Sequence, residues 1–275
     1  MAWITVKRGS PLAKCPVCGR PDWCSVTADG IVCHCMRIVS DRPAKGGGWI
    51  HRIDGRPLTH SPRPEPVEPP DLGAIYAGFQ AAPELAGHAL ELGVSVESLN
   101  RLGTRWARIQ QAWAYPMRTP GGKIVGIRLR YPDKKRSVKG GKEGLFVPDG
   151  TVGDLVEQVL VCEGPTDTAT ALDLGFYAVG RPSCRGSVDY LKTVCAGRDV
   201  VVVADNDAPK TGPDGTVLRP GQDGAEALVR ELLPVTHSVK LILPLRGKDL
   251  REWKQLGCTG AVLRVVIRNT REREK

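Results

Sequence analysis

Five of the nine cysteines in this 275-residue chain fall between Cys15 and Cys35, and the stretch that carries them gives way to proline-rich sequence at Pro57. Roughly fifty residues cannot bury enough apolar surface to hold a fold unaided, so a cross-link or a metal must supply the rest. The total is odd, and the opening Met1-Ala2-Trp3-Ile4-Thr5-Val6-Lys7-Arg8 lacks the apolar core of a signal peptide. A cytosolic location follows as the expectation, and there cysteines serve as metal ligands or buried thiols rather than disulfides. Cys15-Pro16-Val17-Cys18-Gly19 is a C-x-x-C knuckle, a tight turn offering two thiolates. A structural Zn²⁺ takes four such ligands in a tetrahedron, at about 2.3 Å from each sulfur. Cys15, Cys18, Cys24 and Cys35 are expected to hold it. Cys33 and Cys35 share a strand face and compete for a place, so an exchange of Cys33 for Cys24 stays open; His34 faces the other way.

From Pro57 to Asp71 prolines stand at 57, 62, 64, 66, 69 and 70. Such a stretch prefers extended polyproline II and reads as a semi-rigid linker. It divides the chain into a zinc module (1–56), the linker (57–71) and a larger part whose pattern changes near residue 150. Residues 72–150 mix helices (Leu72–Ala82, Pro83–Leu92 capped by Gly93, and a short one after Ser95) with strands at Trp113–Met117 and Ile124–Tyr131. Residues 151–275 alternate short apolar runs with helices. Val159–Cys162, Phe176–Val179, Val200–Val203 and Lys240–Leu243 are the runs; Thr166–Leu174 and Gln222–Leu233 are helical. Continuous β-branched runs alternating with helices call for a parallel sheet buried on both faces. The fold class is therefore α/β: a small β-rich zinc-ribbon-like module, a linker, then a parallel sheet flanked by helices.

Acids stand where those runs end. Glu163 follows Val159–Cys162, Asp205 and Asp207 follow the four valines, and Asp249 follows the last run. Open α/β sheets bind ligands at the carboxyl ends of their strands. Mg²⁺, a hard cation held by one or two carboxylates plus substrate phosphates, suits that set. A single such acid could equally be a helix cap or a solvated turn residue; several together are harder to explain that way.

Glu163-Gly164-x-x-Asp167 at a strand–helix turn, with Asp205-x-Asp207 after a hydrophobic strand, resembles the TOPRIM domain of bacterial and bacteriophage primases, topoisomerases and some nucleases. Lys248-Asp249 resembles the third acidic motif of primases. Trp113–Met117, Gly126–Arg130 and Gly144-Leu145-Phe146 resemble the subdomain that precedes TOPRIM in phage-type primases. The resemblance implies a DNA primase, an enzyme that joins ribonucleoside triphosphates on single-stranded DNA. Glu163, Asp167, Asp205, Asp207 and Asp249 would be its catalytic residues, and Glu163, Asp205, Asp207 and Asp249 would hold Mg²⁺ or Mn²⁺. The zinc module would help read the template. No Walker A sequence occurs, so a separate replicative helicase is the implied partner. One departure stands out: Ala208–Gln222 intervenes after the second Asp and reads as an inserted hairpin turning at Pro213-Asp214-Gly215.

The charge balance fits a polyanionic partner. Net charge is +9, and between Arg101 and Lys142 there are twelve Lys or Arg against the single acid Asp133. Arg128 and Arg130 fall on one strand face, and with Lys134, Lys135, Arg136, Lys139 and Lys248 they are the expected contacts to nucleic acid or triphosphate. Nothing in the sequence suits a membrane. Two other readings compete: a non-catalytic DNA-binding protein of replication or recombination, which needs none of the acids, and a TOPRIM nuclease.

Overall fold

The computed structural model describes residues 3–7, 12–45, 47–55, 70–81, 84–153, 156–211 and 216–274. The chain divides into two compact units, Met1–Val67 and Glu68–Lys275. Most of the proline-rich stretch lies outside the described residues, as does the expected turn at Pro213-Asp214-Gly215.

The first unit is an antiparallel sheet of β1 (Trp3–Thr5), β2 (Ser25–Thr27), β3 (Val32–Cys35) and β4 (Trp49–Arg52), in that order. Its interior is made of Val6, Val26 and the buried cysteines, too little for a self-sufficient core.

The second unit opens with helices α1 (Leu72–Ala77), α2 (Leu85–Leu92) and α3 (Val96–Arg101). Gly93 closes α2 in the left-handed conformation at φ 69°, and the Ser95 hydroxyl caps α3 by accepting from the Ser98 N–H. α1 is shorter than the sequence suggests. Gly78 ends it, and Gln80 leaves to bridge Trp106 instead. Strands β5 (Arg105–Ala107), β6 (Ala112–Arg118), β7 (Ile124–Arg130) and β8 (Lys135–Ser137) then form an antiparallel sheet in sequence order.

The remainder is β9 (Gln158–Glu163), α4 (Gly164–Asp173), β10 (Ala178–Arg181), α5 (Val188–Cys195), β11 (Asp199–Val203), a short hairpin β12 (Lys210–Thr211) and β13 (Val217–Leu218), α6 (Pro220–Leu232), β14 (Ser238–Ile242), α7 (Leu250–Gln255) and α8 (Gly260–Asn269). β10, β9, β11 and β14 pair in that order, all parallel. Alternation along the valine run explains the two-sided burial. Val200 and Val202 join Val159, Val161 and the helices α5 and α6 on one face. Val201 and Val203 join Leu160 and the helices α7 and α8 on the other.

β10 begins two residues later than the apolar run Phe176–Val179. The Phe176 N–H closes the end of α4 by donating to the Ala171 carbonyl, so that residue belongs to the helix exit. The inserted hairpin is present, Lys210 pairing Leu218 and Thr211 pairing Val217. Phe146 and Gly180 exchange two backbone hydrogen bonds of 2.8 and 2.9 Å, and this bridge fixes the antiparallel sheet against the edge strand β10. Among the described residues no helix is long and apolar enough to cross a membrane.

Candidate functional site

In the first unit, the ligand atoms of Cys15, Cys18, Cys24 and Cys35 all lie within 4.8 Å of one another. Among the described residues this is the only group of three or more Cys, His, Asp or Glu so assembled. A zinc–sulfur tetrahedron sets sulfurs about 3.8 Å apart, and Cys18 Sγ stands 3.8 Å from Cys24 Sγ. Backbone N–H groups of Cys18, Met36 and Ile38 donate to the sulfurs of Cys15, Cys24 and Cys35 at 3.4–3.5 Å. Arg37 Nη1 lies 3.9 Å from the sulfurs of both Cys18 and Cys24. Donors and positive charge around sulfur favour thiolate, the form that binds metal. The cluster is compatible with a structural zinc. Cys33 is also fully buried on the same strand face as Cys35, yet it packs against Cys15 Sγ at 3.5 Å, outside the four-sulfur group. Its burial raises its proton affinity, and His34 turns away to Gly47 O.

In the second unit the acids gather at the carboxyl ends of the parallel strands. β9 and β11 are neighbours, but the chain leaves β9 for one edge and β11 for the other. The crevice between their ends is therefore the switch point of the sheet. Glu163 ends β9 and Asp205 lies just past β11. Gly164 follows Glu163 at φ +81°, a backbone state that a side chain would resist. Glu163 stands at the N-cap position of α4 but makes no capping hydrogen bond. Its carboxylate is thus not occupied by the helix.

Asp205 is raised to about 7, first by burial, then by the charges of Glu163 and Asp249, against the opposing pull of Lys248. Asp167, in the first turn of α4 and 5% exposed, is raised well above the carboxylate range by burial and by Asp249 and Asp205. It also accepts from the Arg251 N–H at 2.9 Å.

Asp207 and Asp249 have structural partners. Asp207 accepts from the Gly221 N–H at 3.0 Å and pairs with Lys248 Nζ at 3.3 Å. A Cβ on Gly221 would come within 2.7 Å of the Asp205 carbonyl, so only glycine lets α6 start against this turn. Asp249 is the N-cap of α7, accepting from the Glu252 N–H at 2.7 Å. The helix-cap explanation therefore applies to one oxygen of Asp249, though its charge still reaches Asp205 and Asp167.

The basic residues approach from β7 and β8. Arg128 and Arg130 share a half-buried face of β7, alternating with buried Ile127 and Leu129. Arg128 Nη2 donates to the Pro182 carbonyl, past the end of β10. The Lys135 amine is lowered by the protein atoms crowded about it, although the residue's surface is exposed, and then by Arg130 and Arg128; Asp167 and Glu163 oppose this. The basic strands and the acidic crevice thus lie within Coulombic reach. Lys134 sits over the Tyr131 ring and pairs with Asp133, and Arg136 and Lys139 are exposed. Trp113 stacks on His88, whose Nε2 meets Tyr115 Oη at 2.7 Å; these aromatics pack the core.

Sequence reasoning missed Arg181. It ends β10 directly beside Glu163 in the register and is 1% exposed. The available signal was a charged residue closing an apolar run at the same level as Glu163.

A four-stranded parallel sheet bridged to an antiparallel sheet makes this fold similar to that of solved primase catalytic cores. It is shared with the zinc-binding and RNA polymerase domains of the Aquifex aeolicus primase (TM-score 0.58, 12% identity), over 74% of this chain and 60% of that one. The E. coli primase catalytic core matches with TM-score 0.55 and 15% identity, over 72% of this chain and 79% of its own. A DnaG primase catalytic domain bound to single-stranded DNA matches with TM-score 0.53 and 14% identity, with the same coverage. No family profile and no curated protein matches the chain.

Proposed function

We propose that the chain is a cytoplasmic DNA primase, synthesising short RNA primers on single-stranded DNA from ribonucleoside triphosphates. The observation that carries this reading is the meeting of Glu163, Asp167, Asp205 and Asp249 at the switch point of a primase-type sheet. Burial there, with the charges of Glu163 and Asp249, raises Asp205 to about 7. Such a set demands a cation. Its oxygen donors are hard, and among the described residues no three of them gather within 4.8 Å as the four cysteines do. That fits Mg²⁺ or Mn²⁺, which keeps room for water and phosphate oxygens. Glu163 and Asp205 would hold it, with Asp249 and Asp207 contributing. An ion held by these residues would supply charge to offset that on the transferring phosphoryl group and would favour ionisation of a 3′-hydroxyl.

The chain's own groups do the remaining work. Glu163, whose side chain makes no cap bond to its helix, would ligate the ion or accept the hydroxyl proton. Lys248 holds Asp207 in place. Arg128, Arg130, Lys134, Lys135, Arg136 and Lys139 would track template and triphosphate phosphates, which the acidic crevice alone would repel. The zinc module would assist template reading, and a separate helicase would deliver the strand.

The structural roles of Asp207 and Asp249 favour a second reading, a DNA-binding protein that keeps its acids for architecture. Primer synthesis on single-stranded DNA with labelled ATP separates the two. Wild type should make short oligoribonucleotides with Mg²⁺ or Mn²⁺, and Glu163→Gln or Asp205→Asn should lower the yield by several orders of magnitude while DNA binding persists. Wild type that binds DNA and makes no product on any template establishes the binding reading, and degradation of the template establishes a nuclease.

A further inference from the structure

We propose that Arg181 is a positioning residue: a permanently buried cation that orients Glu163 and sets how tightly the acidic crevice takes a divalent metal. The proposal rests on the polymerase reading of that crevice. Among the described residues Arg181 is the largest side chain buried to below 2% exposure. Its partner across the parallel register is Glu163, and residues so paired send their side chains to the same face of a sheet. Nη1 donates to the Cys184 carbonyl at 2.7 Å and to the Gly224 carbonyl at 3.3 Å. The guanidinium thereby ties the loop after β10 to the first turns of α6, the helix that also donates to Asp207.

Nη2 is buried and has no acceptor among the described residues, nor does Arg181 there lie within 4.0 Å of any carboxylate. Burying a guanidinium without an ion pair is strongly unfavourable, so it persists only where nearby negative charge offsets the cost. Glu163 and Asp205 are the acids whose charges reach it. Glu163 is also the acid whose carboxylate no cap bond restrains. The unpartnered Nη2, on the sheet face that Glu163 shares, is the donor available to fix the direction of that carboxylate.

Of the other cations that reach the crevice, Lys248 is exposed and paired with Asp207, and Lys135 has an exposed surface. Arg181 is thus the fixed countercharge beneath the crevice. It weakens capture of a bare dication while it holds Glu163 in one orientation. A neutral residue should reverse the first effect and lose the second.

The test uses the full-length chain freed of Mg²⁺, with Mn²⁺ binding followed by the free-ion electron paramagnetic resonance signal and Asp205→Asn as baseline. Arg181→Met should bind Mn²⁺ about tenfold more tightly, because a unit charge a few ångströms away is removed. Its kcat at saturating Mn²⁺ should fall about tenfold or more. Arg181→Lys should return Mn²⁺ affinity to within about twofold of wild type, yet keep a lowered kcat, because an ammonium lacks the second nitrogen, Nη2, that remains available to Glu163 while Nη1 holds the two carbonyls. A purely architectural role would lower stability in both variants and leave Mn²⁺ affinity unmoved, and that result overturns the proposal. Should Arg181→Met lose its near-ultraviolet circular dichroism, Arg181→Lys decides, and a wild-type kcat in that variant overturns it. If wild type takes up no more Mn²⁺ than Asp205→Asn, the polymerase reading itself fails and takes the role of Arg181 with it. If wild type binds and both Arg181 variants match it, only the role of Arg181 fails.

Discussion

Asp205→Asn should stabilise the second unit in Mg²⁺-free buffer at pH 8 while destroying the proposed activity. The folded protein raises this carboxyl from its ordinary 3.8 to about 7, through burial and the charges of Glu163 and Asp249. At 1.36 kcal/mol per pH unit, that is about 4 kcal/mol of destabilisation once the group is ionised in both states. Water entry and small carboxylate shifts relieve part of it, leaving about 2–4 kcal/mol. The sign follows from proton counting. The folded state binds the proton more tightly than the unfolded chain, so stability is lost as pH rises from about 4 to about 7 and is constant above. Asparagine is neutral throughout and escapes the loss. For a unit of this size the gain corresponds to about 5–15 °C in Tm, and the gap should shrink by more than half at pH 5. Urea unfolding followed by emission of Trp253, buried against the sheet, measures it. Added Mg²⁺ should narrow the gap from the other side by stabilising wild type alone. Equal stability at pH 8, or a gap that ignores pH, would refute the claim that these carboxylates repel one another.

Elemental analysis should find about one Zn²⁺ per chain, with Cys24→Ser losing more metal than Cys33→Ser; the reverse order would bring Cys33 into the ligand set. Lys254→Met should cost about 2–3 kcal/mol at neutral pH by thermal or urea unfolding, because Asp173 is buried and accepts from Lys254 Nζ at 2.5 Å as well as from Ser95 and Ser98. Burial opposes the ionisation of Asp173, but those bonds outweigh it and depress the carboxyl below its ordinary value. Their contribution should therefore be present above about pH 4 and fade below it, and a Lys254→Met cost unchanged at pH 3 would contradict that assignment. Arg128→Ala with Arg130→Ala should weaken single-stranded DNA binding and flatten its salt dependence; unchanged affinity across a salt titration would assign that strand face to the core alone.

Local sequence carried much of the architecture. A valine run buried on both faces can only be an internal parallel strand, and an acid closing such a run must lie at a carboxyl edge. The knuckle of cysteines likewise pointed to a metal site, since so few residues have little other means of holding together, and four of the cysteines do cluster as such a site requires. These inferences need only period and neighbouring residues. Three-dimensional proximity was another matter. Cys33 and Cys24 look equivalent in the chain, and strand pairing is what sets Cys33 against Cys15 instead of within the four-sulfur group. Asp207 and Asp249 read like Asp205 in sequence, yet the start of α6 and the side chain of Lys248 engage one, and α7 uses the other as its cap. Arg181 stands beside Glu163 in the sheet because two strands pair in parallel register across eighteen positions of sequence. Charge interaction falls with distance in space and is indifferent to separation along the chain. The sequence therefore determined which residues stand at the edge of the sheet, and only the tertiary structure decided which of them repel, which are paired, and which cation lies beneath them.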